Sequence, residues 1–178
     1  YLSNLMEEKG ILFLLEALKE LEKNNILYEA KIAGNIDEGL KKEIIQKINT
    51  LKNTDYIGVV NKKEKKELLE WSTIFVLPTF YRMEGQPISI LEALATQNVI
   101  ITTNHAGIPD IIKSEVNGYI VEPKSSKRIL EPLLFLNNNK HRIKEIGDEN
   151  KKYFINNFTI KNFTEKIIKI LNENTTTK

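Results

Sequence analysis

The chain has 178 residues, 41% of them hydrophobic and 28% charged, which suits one globular domain or a large half of a two-domain enzyme. The absence of cysteine excludes a disulfide framework and cysteine-ligated metal, and agrees with a cytoplasmic protein; peripheral association with the inner face of a membrane stays open. A net charge of +2 is too small to argue for nucleic acid, and no apolar run reaches the ~18–20 residues of a membrane span.

Taken in chain order, Tyr1-Leu2-Ser3-Asn4-Leu5 reads as the end of a strand, so an excised piece with a further domain on its N-terminal side is expected. Leu12, Leu15, Leu18 and Leu21 recur at helical spacing, and Tyr28 to Gly34 alternates as a strand that ends in glycine. A helix at about 37–52 carries Leu40, Ile44, Ile45 and Ile48 on one stripe. The short strand Asp55–Gly58, a helix at 63–72 and the strand Ile74–Leu77, stopped by Pro78, come next. They are followed by a helix at 87–96, the strand Asn98–Thr102, a short helix after Gly107 and the strand Gly118–Val121. Helices around 126–137, 140–157 and 160–173 finish the chain, with a polar, disordered tail expected at 172–178.

This alternation predicts an α/β fold: a doubly wound parallel sheet of about six strands with helices on both faces. Ligands of such sheets sit outside the carboxyl ends of the strands. The loops at 4–10, 34–37, 58–62, 78–87 and 103–109 are therefore the candidate site.

The stretch EGQPISILEALA, residues 84–95, concentrates the chemistry. Glu92 is the one charged residue between Pro87 and Ala95, on a helix whose apolar composition predicts burial. A buried carboxylate needs a partner or a cleft. A structural pair with a lysine or arginine, a bond to a neighbouring helix N-terminus and a ligand-binding role all satisfy that need. Pro87 suits the first helical turn, and the helix mouth offers free N–H groups to an anion. Glu84-Gly85-Gln86 leads into that mouth, with glycine permitting close approach of backbone to ligand. Two carboxylates flanking a phosphate cradle would suit a sugar nucleotide.

The run Lys62-Lys63-Glu64-Lys65-Lys66 reads first as a solvated helix start and second as a contact for phosphate or an anionic membrane. His105 and His141 stand alone, so no metal site is expected. His105 faces either the cleft or its own loop. Trp71 reads as packing, and Phe154, Phe158 and Phe163 as a C-terminal helical core. No nucleophile–His–Asp set and no P-loop occurs.

Glu84 and Glu92, with seven residues between them, resemble the E-x7-E motif of retaining glycosyltransferases of family 4. The likeness runs along nearly the whole chain in order. SNLMEEKG is similar to that family's glycine-arginine-leucine to lysine-glycine loop, and Tyr56 to Val60 to its F-x-G-x-V segment. Asn98 to Thr102 is similar to its PVIAT strand, His105 to Asp110 to its glycine-containing turn, and Asn117 to Pro123 to its NG-x-L-V-x-P. The resemblance implies a two-domain GT-B architecture, of which residues 1–171 would be the C-terminal, Rossmann-like donor-binding domain. The N-terminal acceptor domain would be absent.

By position, the resemblance implies that Glu92 holds the ribose hydroxyls and Glu84 the transferred sugar. Lys9 and the backbone of Gly85, Gln86, Pro87, Ile88 and Ser89 would hold the diphosphate. The backbone at Val60 would meet the base, and Gly34 closes the neighbouring strand. Glu84 and Lys9 are thus the expected catalytic residues. Asn4 stands where the family usually has arginine, which leaves Lys9 the main cation, and Pro87 replaces a frequent glycine and removes one N–H donor.

The expected function is transfer of a sugar, of hexosyltransferase type, from a nucleotide diphosphate sugar to a glycan or lipid-linked acceptor. The context implied is surface polysaccharide or lipopolysaccharide assembly, without cofactor, metal or nucleic acid. The piece alone is expected to be inactive. A GT-B sugar-nucleotide epimerase and a non-catalytic nucleotide-binding or interaction module are the alternatives.

Overall fold

The computed structural model describes residues 1–175. A 3-10 turn at Glu7–Lys9 leads into α1 (Ile11–Lys23), then β1 (Ala30–Ala33), α2 (Lys41–Asn49), β2 (Thr54–Gly58), α3 (Lys62–Trp71) and β3 (Ile74–Leu77). The chain continues through α4 (Ile88–Ala95), β4 (Val99–Thr103), a 3-10 turn at Ile108–Asp110 and β5 (Gly118–Val121). It closes on α5 (Ser126–Asn138), α6 (Lys140–Asn157) and α7 (Ile160–Thr175).

Every ladder is parallel, in two blocks: β1 beside β2, and β3-β4-β5 with β4 in the middle. All five residues of β4 are buried, as the unbroken run Val-Ile-Ile-Thr-Thr requires of a strand covered on both faces. Side chains alternate accordingly. Val76, Val99 and Ile101 pack into one apolar cluster with α1 and α5, while Phe75, Leu77 and Ile100 pack into another with α4. Helices therefore cover both faces of a Rossmann-like, GT-B-type α/β sheet.

The described residues form five named strands where about six were expected. Tyr1–Leu5, expected as a strand end, makes only the isolated parallel bridges Leu2↔Ala33 and Leu5↔Ile36 against the β1 edge. α2 is shorter than the apolar stripe suggested, because residues 37–40 form a turn in which Asp37 accepts from the Gly39 N–H at 2.9 Å. α4 begins at Ile88 with Pro87 as its N-cap in extended conformation, so the proline sits one position outside the helix. α7 runs to Thr175 and takes in the first part of the expected polar tail; residues 176–178 of that tail lie outside the described residues.

Two aromatic assignments are corrected. Trp71 lies at the surface with its ring under Lys31 Nζ at 4.1 Å, and Phe163 is exposed on α7. Phe154 and Phe158 do pack against the core, beside Tyr153.

Candidate functional site

The loops at the carboxyl ends of the strands are tied to one another by named bonds. Gly10 has φ +78°, and a Cβ there would stand 2.3 Å from Pro78 O, so the first loop presses backbone against the residue that ends β3. Phe80 N–H donates to Glu8 O at 2.7 Å across the same contact. The β3–α4 loop is latched on its other side: His105 Nε2 donates to Tyr81 O at 2.7 Å, and Gly107 N–H to Gly85 O at 3.1 Å. His105 thus serves the loop, by holding the segment that carries Glu84.

Within this frame Lys9 and Glu84 meet. Lys9 Nζ lies 2.5 Å from Glu84 Oε2, and both side chains are nearly buried. The Thr79 hydroxyl, on a fully buried residue, donates to the same carboxylate oxygen at 3.0 Å. The Lys9 ammonium also sits 4.6 Å from the Tyr81 ring centre, a cation–π contact. Glu84 therefore accepts from two donors, and Lys9 is already paired within the protein.

α4 presents a different arrangement from the one its composition suggested. Ile90, Ala93 and Leu94 are buried, but Ile88 is 71% exposed and the Glu92 side chain 32% exposed. Ile88 and Glu92 stand one turn apart on the outward face. Glu92 pairs with Lys65 of α3, so of the partners a buried carboxylate could have taken, the structure supplies a lysine. No side chain caps the N-terminus of α4. Ile90 N–H returns to Pro87 O at 3.1 Å, and the N–H groups of Ile88 and Ser89 have no acceptor within the helix, as at any helix start.

A second corner forms where β1 and β2 end. Gly34, at φ +139°, lies so close to the N-terminal segment that a Cβ would fall 1.8 Å from Ser3 O. Its N–H donates to Gly58 O at 2.9 Å, and Gly58 takes φ +77° before Val59 and Val60. Asn4, beside Gly34, is exposed, and Leu5 N–H donates to Asn35 O at 2.7 Å. The structure thus brings Asn4, Gly34 and the approach to Val60 together at one corner, and Lys9 and Glu84 at another. Glu92 stands on α4 facing α3, with Gly85 and Gln86 exposed ahead of it.

Sequence reasoning missed Lys65, Thr79 and Tyr81. Lys65 was within the basic run, but nothing local separates it from Lys63 or Lys66, which pair within α3 to Glu67 and Glu70. Among the described residues no group of three or more His, Asp or Glu gathers as a metal site. Nor, among them, is any helix long and apolar enough to cross a membrane.

The parallel α/β sheet with helices on both faces defines a Rossmann-like, GT-B-type domain. Residues 1–152 match the family described as "Glycosyl transferases group 1", and the chain belongs to that family. It is 28% identical over 137 residues to the amylovoran biosynthesis glycosyltransferase AmsK of Erwinia amylovora, covering 74% of this chain and 33% of AmsK. It is 27% identical over 168 residues to the Escherichia coli UDP-Gal:alpha-D-GlcNAc-diphosphoundecaprenol alpha-1,3-galactosyltransferase, covering 92% of this chain and 42% of that enzyme. The crystal structure of the C-terminal domain of a glycosyl transferase group 1 family protein, LpcC of Francisella tularensis, superposes with a TM-score of 0.79 at 26% identity. That alignment covers 89% of this chain and 85% of the LpcC domain. The chain thus spans a third to less than half of the two curated relatives named here.

Proposed function

We propose that this chain is the C-terminal, donor-binding half of a retaining glycosyltransferase of family 4, in which a sugar passes from a nucleotide diphosphate sugar to a glycan or lipid-linked acceptor. The observation that carries the reading is the placement of Glu84, paired with Lys9, ahead of the uncapped N-terminus of α4, with Glu92 on the same helix about one turn further in. The names of the relatives support the class of reaction: one is a glycosyltransferase of amylovoran biosynthesis, and the other a galactosyltransferase from UDP-Gal to a GlcNAc-diphosphoundecaprenol. Surface polysaccharide or lipopolysaccharide assembly is the matching context.

In this reading Glu92 accepts hydrogen bonds from the ribose hydroxyls, with Lys65 holding the carboxylate in place until ligand arrives. The N–H groups of Ile88 and Ser89, with those of Gly85 and Gln86, receive the diphosphate, and Pro87 fixes the start of the helix without an N–H of its own. Lys9 supplies the charge that stabilises the departing diphosphate, a fixed electrostatic contribution that requires no metal. Glu84, held by Lys9 and Thr79, faces the transferred sugar. The base lies against the backbone of Gly34 and Val60, and Asn4 offers a neutral hydrogen bond. The acceptor binds on an N-terminal domain, which completes the cleft, so residues 1–171 alone bind donor without turning it over.

Isothermal titration with UDP, GDP and ADP tests the reading directly. Micromolar to low-millimolar binding of one of them, retained in EDTA, is the expected result. No binding of any of the three, in a folded protein, would remove the basis of the proposal.

A further inference from the structure

A cavity of about 570 Å³ lies beside β5, the edge strand of its block, and is bounded by α5 and the first turn of α6. That volume falls within the ~300–1,000 Å³ of small-molecule sites. None of its lining residues belongs to the loops of the candidate donor site.

The wall is part aromatic and part polar. Phe135 of α5 is 46% exposed, and its ring meets that of Tyr119 of β5 with centres 6.1 Å apart, tilted by 58°. The two rings brace one another as an apolar platform. Partial burial raises the pKa of the Tyr119 hydroxyl, with Arg142 opposing and Glu115 reinforcing the shift, so the phenol stays a neutral donor. Among the described residues that hydroxyl has no hydrogen-bond partner. Arg128 Nη1 lies 3.0 and 3.2 Å from the two oxygens of Glu131. Arg142 donates from Nη1 to Glu145 at 2.9 Å and from Nη2 to Glu115 O at 3.4 Å. Both guanidinium groups are thereby oriented, and each keeps N–H groups to spare. The Glu115 and Glu122 carboxylates line the same cavity and enter no ion pair among the described residues. Pro132, inside α5, withholds the N–H that would reach Arg128 O, which leaves a backbone acceptor on this wall.

We propose that this cavity is a carbohydrate site, separate from the donor loops, that takes a neutral oligosaccharide. Two guanidinium groups interleaved with three carboxylates leave neither sign dominant, so a phosphate or an ammonium ligand meets repulsion as well as attraction. Neighbouring sugar hydroxyls each donate and accept, and planar guanidinium and carboxylate groups offer them matched pairs. The exposed face of Phe135 takes the C–H face of a pyranose ring. A peptide strand fits poorly. Ile120 N–H already donates to Ser114 Oγ at 3.2 Å and Gly118 O already accepts from Glu115 N–H at 2.7 Å. Pro123 has no N–H, so the outer edge of β5 has no ladder left to extend. The inference is independent of the donor-binding reading, since the two sites share no residue.

The test is an amide-shift titration of the protein with maltotriose, cellotriose and N-acetylchitotriose at millimolar concentration. At least one is expected to give saturable shifts in residues 114–122 and 128–135, leaving the loops at 78–87 unmoved. Phe135→Ala is expected to weaken that sugar by about tenfold with Tm unchanged, because the ring is already half exposed. Tyr119→Phe, which keeps the platform and removes the hydroxyl, is expected to weaken it less. No saturable shift with any of the three would overturn the inference, as would full affinity in Phe135→Ala. Inorganic phosphate that shifts the same amides and displaces the sugar would make this an anion site and overturn it too. So would concentration-dependent dimerisation abolished by Phe135→Ala, which would make the patch an interface between copies.

Discussion

Lys9 Nζ and Glu84 Oε2 lie 2.5 Å apart across 75 residues of sequence, joining the first loop of the chain to the loop ahead of α4. The contact makes each residue the other's ligand before any substrate arrives. In the proposed donor-binding reading, a diphosphate would compete with Glu84 for Lys9, and a sugar would meet a carboxylate whose orientation Lys9 and Thr79 have already set.

Glu84→Gln removes the charge that competes for Lys9 while keeping nearly the same volume. The variant is expected to bind free nucleoside diphosphate at least as tightly as the unmodified protein and to bind the sugar nucleotide more weakly. In the complete two-domain enzyme, turnover is expected to fall. Calorimetry on both ligands checks this, and weaker binding of the free diphosphate would place Glu84 among the phosphate or ribose contacts.

Lys9→Ala is expected to weaken the nucleoside diphosphate more than the nucleoside. The difference should shrink as salt rises from 0.05 to 0.5 M, because the phosphate contact is screened over a Debye length that falls below ~10 Å. Equal losses for the two ligands would assign Lys9 to holding Glu84 alone.

Lys65→Met breaks the pair with Glu92, whose two side chains are each about one-third exposed. Pairs of that exposure contribute about 0–1 kcal/mol, so the melting temperature is expected to move little. A large fall would make Lys65 a structural anchor between α3 and α4.

Two glycines separate packing from function. Gly10→Ala puts a Cβ 2.3 Å from Pro78 O at φ +78°, and is expected to cost about 1–3 kcal/mol and to displace Lys9 from Glu84. At Gly85 a Cβ meets nothing within 4 Å, so Gly85→Ala is expected to leave stability unchanged. Loss of diphosphate binding in that variant would show backbone lying against ligand. Denaturant melts paired with titrations distinguish the two cases.

The elements were legible wherever burial has a local signature. The run Asn98–Thr102 read as a strand and lies within one residue of the fully buried β4, and Leu15, Leu18 and Leu21 of the leucine spacing fall on the buried face of α1. Glu84 and Glu92 could be singled out because their spacing on either side of a helix start resembles a family motif. Their partners were not. Lys65 lies 27 residues from Glu92 and is one of four lysines in five positions, and only the packing of α3 against α4 selects it. Glu92 was misjudged as buried because alanine and isoleucine content was read as burial all round, whereas Ile88 itself is exposed. The division of the sheet at Tyr1–Leu5 had no sequence signal, since pairing between distant strands leaves none.

The central claim, that α4 carries Glu92 to hold the nucleotide, is tested most directly by titrating Glu92→Gln with the nucleoside diphosphate that the unmodified protein binds. A hydrogen bond to a charged group contributes about 1.5–3 kcal/mol, so free nucleotide and nucleotide sugar should both weaken by about tenfold to a hundredfold, with the melting temperature nearly unchanged. Unaltered affinity for both ligands would contradict the account and leave Glu92 as the surface partner of Lys65.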